Sequence, residues 1–417
     1  MKYTLILLTF FFQWQISLFA QDTIRSLDLL DALRIAQEQN FSLRSSQLDV
    51  SIQNKEIVKA GIRPNPIFNM QALALLNHSY YPNEPLYTSA QNRQDWFQLT
   101  KKMQLYGVRQ DKIALEEKQL AQTISIHNAN LRDVLYSVSN KWLDAWAAQA
   151  TKSMAAESIL SLDSLIQHKV AEGIKTKDYN EYLRLLIIDD QYDITDINAQ
   201  LDLRNELNDL QFLMNASYIA SVDNDDDFYL ADFPANQDSM VEIALRMRSD
   251  ISIYKNQIAA SEINLSLQKS LAMPAPEVGF IANPQNTIPY AGIFFTQPLP
   301  VFDRNQGEKQ IASLTLQKAK LEEEAMIAQV RNEVQKAYEA YKIQKRKVNE
   351  VEHALDLANL LLANVRKNYI QNDKGYVDLW EVERTWYETK KTYFQANYEY
   401  KKSIIDLLYV TGMLEQL

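Results

Sequence analysis

The chain has 417 residues, of which 47% are hydrophobic and 23% are charged, enough apolar side chains for a large buried core. Its formal net charge of -10 argues against a nucleic-acid partner, because phosphate binding needs a concentrated basic surface. The absence of cysteine excludes zinc–thiolate sites, iron–sulfur clusters, a disulfide framework and a lipid-modified N-terminal cysteine.

The first twenty residues predict a secretory signal peptide. Lys2 supplies a positive start, an apolar run follows, and cleavage is expected after Ala20. A membrane anchor is the alternative, but Gln13 and Gln15 interrupt the run. No later apolar stretch reaches the roughly 18 residues of a membrane-spanning helix. We therefore expect an exported chain that could enter a membrane only as a closed β-barrel.

The remaining chain repeats one plan twice. The stretch from Asn40 to Leu43 matches that from Asp250 to Ile253, and Pro64-Asn65-Pro66 matches Pro274-Ala275-Pro276. We predict a first structural repeat over 21–218 and a second over 239–417, joined by an acidic, solvated linker over 219–238. Each repeat is predicted to contain a short helix, a P-x-P stop, a strand pair, a very long helix, a turn and a returning helix.

Alternating apolar residues predict the strand pairs, at about 66–103 and 277–299. Phe68, Met70 and Ala72 alternate with polar residues in the first pair, and Val278 and Phe280 begin the second. An ordinary hairpin that caps a helical bundle would give the same alternation.

The long helices are predicted from the scarcity of helix-breaking residues. Proline is absent between Pro85 and Pro234 and after Pro300, and glycine is rare, as uninterrupted helices require. A helix from Arg109 to about Glu172 would be roughly 95 Å long. Apolar residues in steps of three and four predict a coiled-coil seam, and they are Val348, Val351, Leu355, Ala358, Leu362, Val365 and Tyr369.

The number of strands predicts an oligomer. Four strands per chain cannot close a membrane barrel, which begins at about eight strands. If the strands span a membrane, several copies must share them. The fold class predicted is therefore mainly α with a small β part, in which long coiled-coil helices form a conduit across the periplasm.

These segments resemble the TolC-like outer-membrane efflux proteins. Ser26 to Leu43 is similar to the start of that family, and Gln297 to Leu314 is similar to the strand-to-helix corner of its CzcC-like heavy-metal branch. The resemblance implies a homotrimer with a 12-stranded outer-membrane β-barrel on an α-helical barrel, in contact with outer-membrane lipid. It also implies an exit duct without catalysis or cofactor, working with a periplasmic adaptor (membrane fusion) protein and an RND-type inner-membrane transporter.

The resemblance extends to the stretch YIQNDKGYVDLWE. TolC-like channels close their periplasmic end with a tyrosine, a glycine, a basic residue and two acidic residues, at spacings that here match Tyr369, Asn372, Lys374, Asp378 and Glu381. Asn372 stands where the family has glycine, with Gly375 three residues on. Lysine stands where the family has arginine, so a tether through Lys374 would lack planar bidentate pairing. The resemblance implies a gate formed by Tyr369, Lys374, Asp378 and Glu381.

The residues alone do not decide the role of the acidic pair Asp378 and Glu381. Asp378 and Glu381 share one helix face, which is ordinarily a solvated face. A catalytic pair would need a third group and a pocket, and two carboxylates alone would make a weak metal site. In a trimer, three copies would form an acidic ring that controls cation passage.

Two turns are predicted to meet the adaptor. Gly173 and Asp178 mark the turn of the first repeat, and Asn372 and Gly375 that of the second. Tight turns that need a positive φ at glycine explain the same residues, and the two interpretations are compatible.

The predicted function is passive export of substrate, with heavy-metal cations favoured. Multidrug efflux and type I protein secretion stay open, since no methionine or histidine cluster is built to bind metal. A soluble periplasmic coiled-coil scaffold or adaptor is the alternative from another class. An enzyme ranks third, for want of a catalytic constellation.

Overall fold

The computed structural model describes residues 26–74, 93–216, 219, 221–223, 233, 236–284, 289–372 and 376–416. The predicted signal peptide, the loop after the first strand and most of the acidic linker lie outside these residues. The repeat boundaries at 21, 218, 239 and 417 remain predictions.

Helices and strands follow the order expected of a twofold repeat. The helices are α1 (Leu29–Gln39), α2 (Phe41–Gly61), α3 (Val108–Ala171), α4 (Ile174–Lys177), α5 (Tyr179–Met214), α6 (Gln237–Met247), α7 (Ser249–Leu271), α8 (Gln306–Asn372) and α9 (Tyr376–Thr411). The strands are β1 (Ile67–Ala74), β2 (Arg93–Lys102), β3 (Glu277–Asn283) and β4 (Tyr290–Thr296), and a short 3-10 helix spans Leu414–Gln416. The mainly helical fold class with four strands is confirmed in the described residues.

Two long helices dominate the chain. Helix α3 has 64 residues and α8 has 67, which is about 95–100 Å each at 1.5 Å per residue. The seven seam positions predicted on α8 are all fully or partly buried. The steps of three and four therefore mark the packed stripe of this helix, as a coiled-coil pattern requires.

Each repeat begins with two helices where the sequence predicted one. Asn40 separates α1 from α2 with ψ 130, and its side-chain amide donates to the Leu213 carbonyl oxygen at 2.6 Å. Arg248 separates α6 from α7 with ψ 124. Neither asparagine nor arginine is a strong helix breaker by itself. Hydrogen bonds from their side chains to other parts of the chain hold the extended backbone at both positions.

The four strands form one antiparallel sheet in the order β1-β2-β3-β4. Ile67 lies opposite Thr100, Lys102 opposite Glu277, and Glu277 opposite Thr296. These residues therefore mark one end of the sheet, where α2, α3 and α7 connect to it. Strands β1 and β4 are the two edges, and no further strand pairs with them in the described part of the chain.

The chain divides into two compact units, each formed from three segments. The first unit comprises the described parts of Met1–Asn40, Ser137–Phe228 and Val351–Tyr398. In its core the Trp142 indole N–H donates to the Leu27 carbonyl oxygen at 2.8 Å, and Leu27 forms a parallel bridge with Val222. The indole hydrogen bond pairs a polar group that burial would otherwise leave unsatisfied.

The second unit comprises the described parts of Phe41–Tyr136, Tyr229–Glu350 and Glu399–Leu417. Its buried apolar cluster consists of Met240, Ala244, Ile251, Val330, Val334, Tyr338 and Leu407. Each large apolar side chain buried there contributes about 1.5–3 kcal/mol relative to exposure.

Arg248 is a buried cation in the second unit. Its guanidinium lies 2.5 Å from both Asp250 Oδ2 and Glu333 Oε2, and it also donates to the Val410 carbonyl oxygen at 3.3 Å. Burial opposes its charge, but hydrogen bonds to Asp250 and Glu333 outweigh that cost and raise the pKa of Arg248. The carboxylates thus stabilise the break between α6 and α7.

Gly279 of β3 makes a sharp prediction about the sheet. A Cβ there would lie 2.4 Å from the Phe294 ring and 2.8 Å from the Leu99 carbonyl oxygen. Gly279→Ala should therefore lower the free energy of unfolding by about 1–3 kcal/mol, as overpacking does. The measurement is the temperature at which the folded form is lost on electrophoresis of the purified protein.

Gly292→Ala of β4 is the matched control. A Cβ there meets nothing closer than Ile281 Cγ2 at 4.0 Å, so its effect should stay within about 0.5 kcal/mol. Equal transition temperatures for the two variants would contradict the packing of Phe294 on Gly279.

Candidate functional site

The candidate site lies in the first unit, around the turn that joins α3 to α5 and the neighbouring ends of α8 and α9. The first turn is set by Gly173, which has φ 86 and follows the end of α3. A left-handed backbone strains a residue with a Cβ, so glycine is favoured there. The Gly173 carbonyl oxygen accepts hydrogen bonds from the backbone N–H groups of Thr176 and Lys177, each at 3.1 Å.

Asp178 ends this turn by capping α5. Its side chain accepts a hydrogen bond from the Glu181 backbone N–H at 3.0 Å, and the Asp178 carboxylate itself is exposed. A carboxylate at this position satisfies one of the free N–H groups at the helix start and complements the helix dipole. The start of α5 is therefore determined locally, by Asp178 as its N-cap.

A small apolar cluster supports the turn from below. Leu162 of α3, Ile174 of α4 and Leu185 of α5 are buried together, and Tyr182 and Ile188 pack against them. This packing fixes the direction in which α5 leaves the turn.

The second predicted turn falls between α8, which ends at Asn372, and α9, which begins at Tyr376. Lys374 and Gly375 lie outside the described residues, and the Asn372 side chain is not described. The predicted roles of these three residues remain predictions.

Tyr369 is the predicted gate residue that the structure describes most fully. Its side chain is only 2% exposed, and its hydroxyl is hydrogen-bonded to Glu181 Oε1. The Lys169 ammonium lies 4.1 Å from the centre of the Tyr369 ring, a cation–π contact. Tyr369 of the second repeat is thereby held to Lys169 and Glu181 of the first.

Lys169 is a buried cation, 2% exposed. Its Nζ lies 3.1 Å from Glu172 Oε2, so the cost of removing the charge from water is offset by this carboxylate and by the Tyr369 ring. Lys169, Glu172 and Glu181 were not predicted from the sequence. One signal was available, because Lys169 continues the inward-facing series Ala155, Ser158, Leu162 and Leu165 on α3, and a charge on a packed seam marks a specific partner.

The acidic pair of α9 takes no part in this buried contact and faces solvent instead. Asp378 and Glu381 are both exposed, whereas Leu379 between them is 1% exposed. Both carboxylates lie three residues apart in the first turns of α9, where negative charge is favoured by the helix dipole. The structure thus separates an inward-facing Tyr369 from two outward-facing carboxylates.

Farther from the turn, polar pairs join the helices of the same unit. The Arg366 guanidinium lies 2.6 Å from Glu383 Oε1, and the Trp386 indole N–H donates to Asn359 Oδ1 at 2.7 Å. The Tyr192 and Tyr387 rings lie 5.0 Å apart, and burial raises the pKa of both phenols. Both hydroxyls therefore stay protonated at neutral pH and act as neutral packing groups.

Among the described residues, no group of three or more His, Asp or Glu side chains is placed to bind a metal ion. None of the described helices carries a stretch that is both long and apolar enough to cross a membrane.

Comparison with known proteins gives structural matches only. No family model and no curated protein matches the sequence. A crystal structure of CusC superposes with a TM-score of 0.74 at 16% identity, covering 95% of each chain. A crystal structure of a membrane protein from Pseudomonas aeruginosa superposes with a TM-score of 0.75 at 14% identity, covering 94% of this chain and 91% of the other.

A further match is the open MtrE outer membrane channel of Neisseria gonorrhoeae, with a TM-score of 0.73 at 15% identity over 92% of this chain and 88% of the channel. At such identities the likeness concerns the fold. The chain has the TolC-like channel fold that the sequence resemblance implied, while the CzcC-like branch remains a prediction.

The contact between Tyr369 and Glu181 predicts a coupling that can be measured. In a double-mutant cycle of Tyr369→Phe and Glu181→Ala, the two losses of unfolding free energy should be non-additive by about 0.5–3 kcal/mol. The cause is that either single change already removes the same hydrogen bond. Guanidinium unfolding followed by circular dichroism measures each variant.

Tyr179→Phe is the control for this cycle, because Tyr179 is 60% exposed and should cost less than about 0.5 kcal/mol. Strict additivity of the Tyr369 and Glu181 changes would contradict the contact.

Proposed function

We propose that the chain is the outer-membrane exit duct of a tripartite efflux system. It passively conducts substrate from an inner-membrane pump and a periplasmic adaptor to the exterior. One observation carries the proposal: a four-stranded sheet with two open edges is joined to helices of 64 and 67 residues. This is the fold of solved outer-membrane channels over more than nine tenths of the chain.

The open sheet edges favour three copies in one assembly. Every unpaired N–H or C=O group in lipid costs several kcal/mol, so the free edges of β1 and β4 need partners. Pairing β4 of one copy with β1 of the next removes both edges when the ring closes. Three chains would supply twelve strands, which lies within the range of membrane barrels.

An exposed apolar stripe on α5 supports the same assembly. Ile187, Ile194 and Leu201 recur at intervals of seven residues, and Leu183 and Ile197 lie beside them. All five are between 39% and 64% exposed. A heptad stripe left uncovered in one chain is the surface that a neighbouring helix covers in a coiled coil, and we assign it to a second copy.

The surface of strands β1 to β4 suits a lipid environment. Ile67, Phe68, Ile293 and Phe295 are each at least 64% exposed, an arrangement that water penalises and hydrocarbon does not. We place these strands in the outer membrane and the long helices in the periplasm. Residues 1–20 would serve as the cleaved signal peptide.

The two turns are proposed as the surface that meets the adaptor, with Gly173, Asp178, Asn372 and Gly375 at their tips. The pump would be an RND-type inner-membrane transporter. Both partners follow from the channel fold rather than from a contact in this chain.

The gate is proposed to combine a tether and a charged ring. Tyr369, held by Glu181 and Lys169, would keep the two turns together in the closed duct, with Lys374 adding a second cation. Asp378 and Glu381 are exposed, and three copies of each would surround the duct with acidic charge that favours cations.

Heavy-metal cations are the favoured cargo. The support is the resemblance of Gln297 to Leu314 to the heavy-metal branch, together with the acidic ring. Drugs or a secreted protein would use the same duct, and the proposed transport needs no catalytic residue or cofactor.

The acidic ring predicts how the duct responds to multivalent cations. In single-channel recordings in planar bilayers, Asp378→Ala and Glu381→Ala should weaken block by a multivalent cation about tenfold, which corresponds to a loss of roughly 1.4 kcal/mol of attraction. Asp202→Ala is the control, since Asp202 is an exposed acid on α5 of the same unit. Unchanged block by the multivalent cation in both ring variants would contradict the proposed acidic ring.

The function as a whole is tested by disrupting the gene and screening growth against metals, dyes, detergents and antibiotics. Fractionation of the wild-type cell is done in parallel. An outer-membrane trimer whose loss sensitises the cell to metals supports the proposal. Recovery of the protein in the soluble periplasm would favour the coiled-coil scaffold instead.

A further inference from the structure

A cleft of about 350 Å³ lies where β2 meets α3, in the second unit. Its lining includes four cationic side chains, Arg63, Lys101, Lys102 and Arg109, in a chain whose formal net charge is -10. The volume lies in the range of small-ligand pockets. The four cations converge although the chain as a whole is acidic.

None of the four cations has a carboxylate at ion-pair distance in the described part of the chain, and Arg63, Lys101 and Lys102 are exposed. Arg109 differs, because its Nε donates to the Gly61 carbonyl oxygen at 2.7 Å and so fixes that side of the cleft. Two acids lie on elements that adjoin the cleft. Glu277 lies opposite Lys102 on β3, and Asp111 accepts a hydrogen bond from Ser270 at 2.9 Å.

Apolar side chains surround the cationic cleft at the same end of the sheet. Met103, Leu105 and Tyr106 line it and are between 36% and 49% exposed. Lys102 lies opposite Glu277, which lies opposite Thr296, so the segment after β4 begins at this end too. There Leu299 is 77% exposed and Phe302 is 93% exposed.

We propose that this cleft binds the phosphate headgroup of an anionic phospholipid in the membrane leaflet on the helix side of the sheet. Cations bind the phosphate while the adjacent apolar side chains enter the acyl region, the combination typical of a membrane–water interface. The inference rests on the proposed function, which places strands β1 to β4 in a membrane. A bound lipid there would fix the depth at which the sheet sits.

The test is native mass spectrometry of the purified full-length assembly in detergent, titrated with phosphatidylglycerol or with phosphatidylcholine of the same acyl chains. We expect the wild type to retain phosphatidylglycerol about tenfold more strongly, as a few interfacial cations would produce. The variant Arg63→Gln/Lys101→Gln/Lys102→Gln should lose this preference. Arg109 is kept, since its hydrogen bond to Gly61 holds the cleft in shape.

The matched control is Lys118→Gln/Lys320→Gln/Lys336→Gln, which removes three exposed lysines that do not line the cleft. It should keep the preference. An unchanged preference in the cleft variant, or an equal loss in the control, would overturn the proposal. If inorganic phosphate displaces the lipid as well as short-chain phosphatidylglycerol does, the site takes free phosphate and the lipid assignment is wrong.

Single variants and a conductance measurement distinguish the possible outcomes. If the triple cleft variant does not assemble, Arg63→Gln and Lys101→Gln alone should each weaken the preference, and two wild-type values would refute the site. Planar-bilayer conductance of the same preparations separates the two proposals. Conducting channels without lipid preference contradict only the cleft, whereas a wild type that never conducts contradicts the duct.

Discussion

The pairing of strand edges is the constraint on which the rest of this molecule depends. Four antiparallel strands satisfy one another's backbone groups along three shared borders, and the outer borders of β1 and β4 are left open in the single chain. An open edge is a liability in water and a larger one in lipid. In the proposed duct, the free edges, the apolar strand faces and the uncovered heptad stripe of α5 all find partners in further copies of the same chain.

Within each unit, buried charge occurs at a few places and fixes geometry there. Lys169 is held by Glu172 and the Tyr369 ring, and Arg248 by Asp250 and Glu333. Apolar seams alone would allow helices to slide by a turn at small cost, because one apolar residue replaces another. A buried cation has few acceptable partners, so it selects one register.

Much of the fold could be predicted from local signals. The lack of proline and glycine predicted α3 and α8 because these two residues are the strongest breakers of a helix interior. The period of two around Phe68 and Phe280 predicted strands for the same kind of local reason. The breaks at Asn40 and Arg248 escaped prediction because they are stabilised by contacts from elsewhere, such as the bond from Asn40 to Leu213. The contact of Tyr369 with Glu181 joins residues 188 positions apart, and no spacing rule within one helix reaches that far.

The most direct measurement of the central claim is disulfide cross-linking between copies, which is clean because the chain has no cysteine. Cysteines would replace Phe68 or Met70 on β1 together with Ile293 or Phe295 on β4, in cells whose outer-membrane fraction is then oxidised. The proposed duct predicts covalent trimers for at least one of these double variants and none for any single variant. Absence of linked chains from every combination, or linked chains confined to the soluble periplasm, would contradict it.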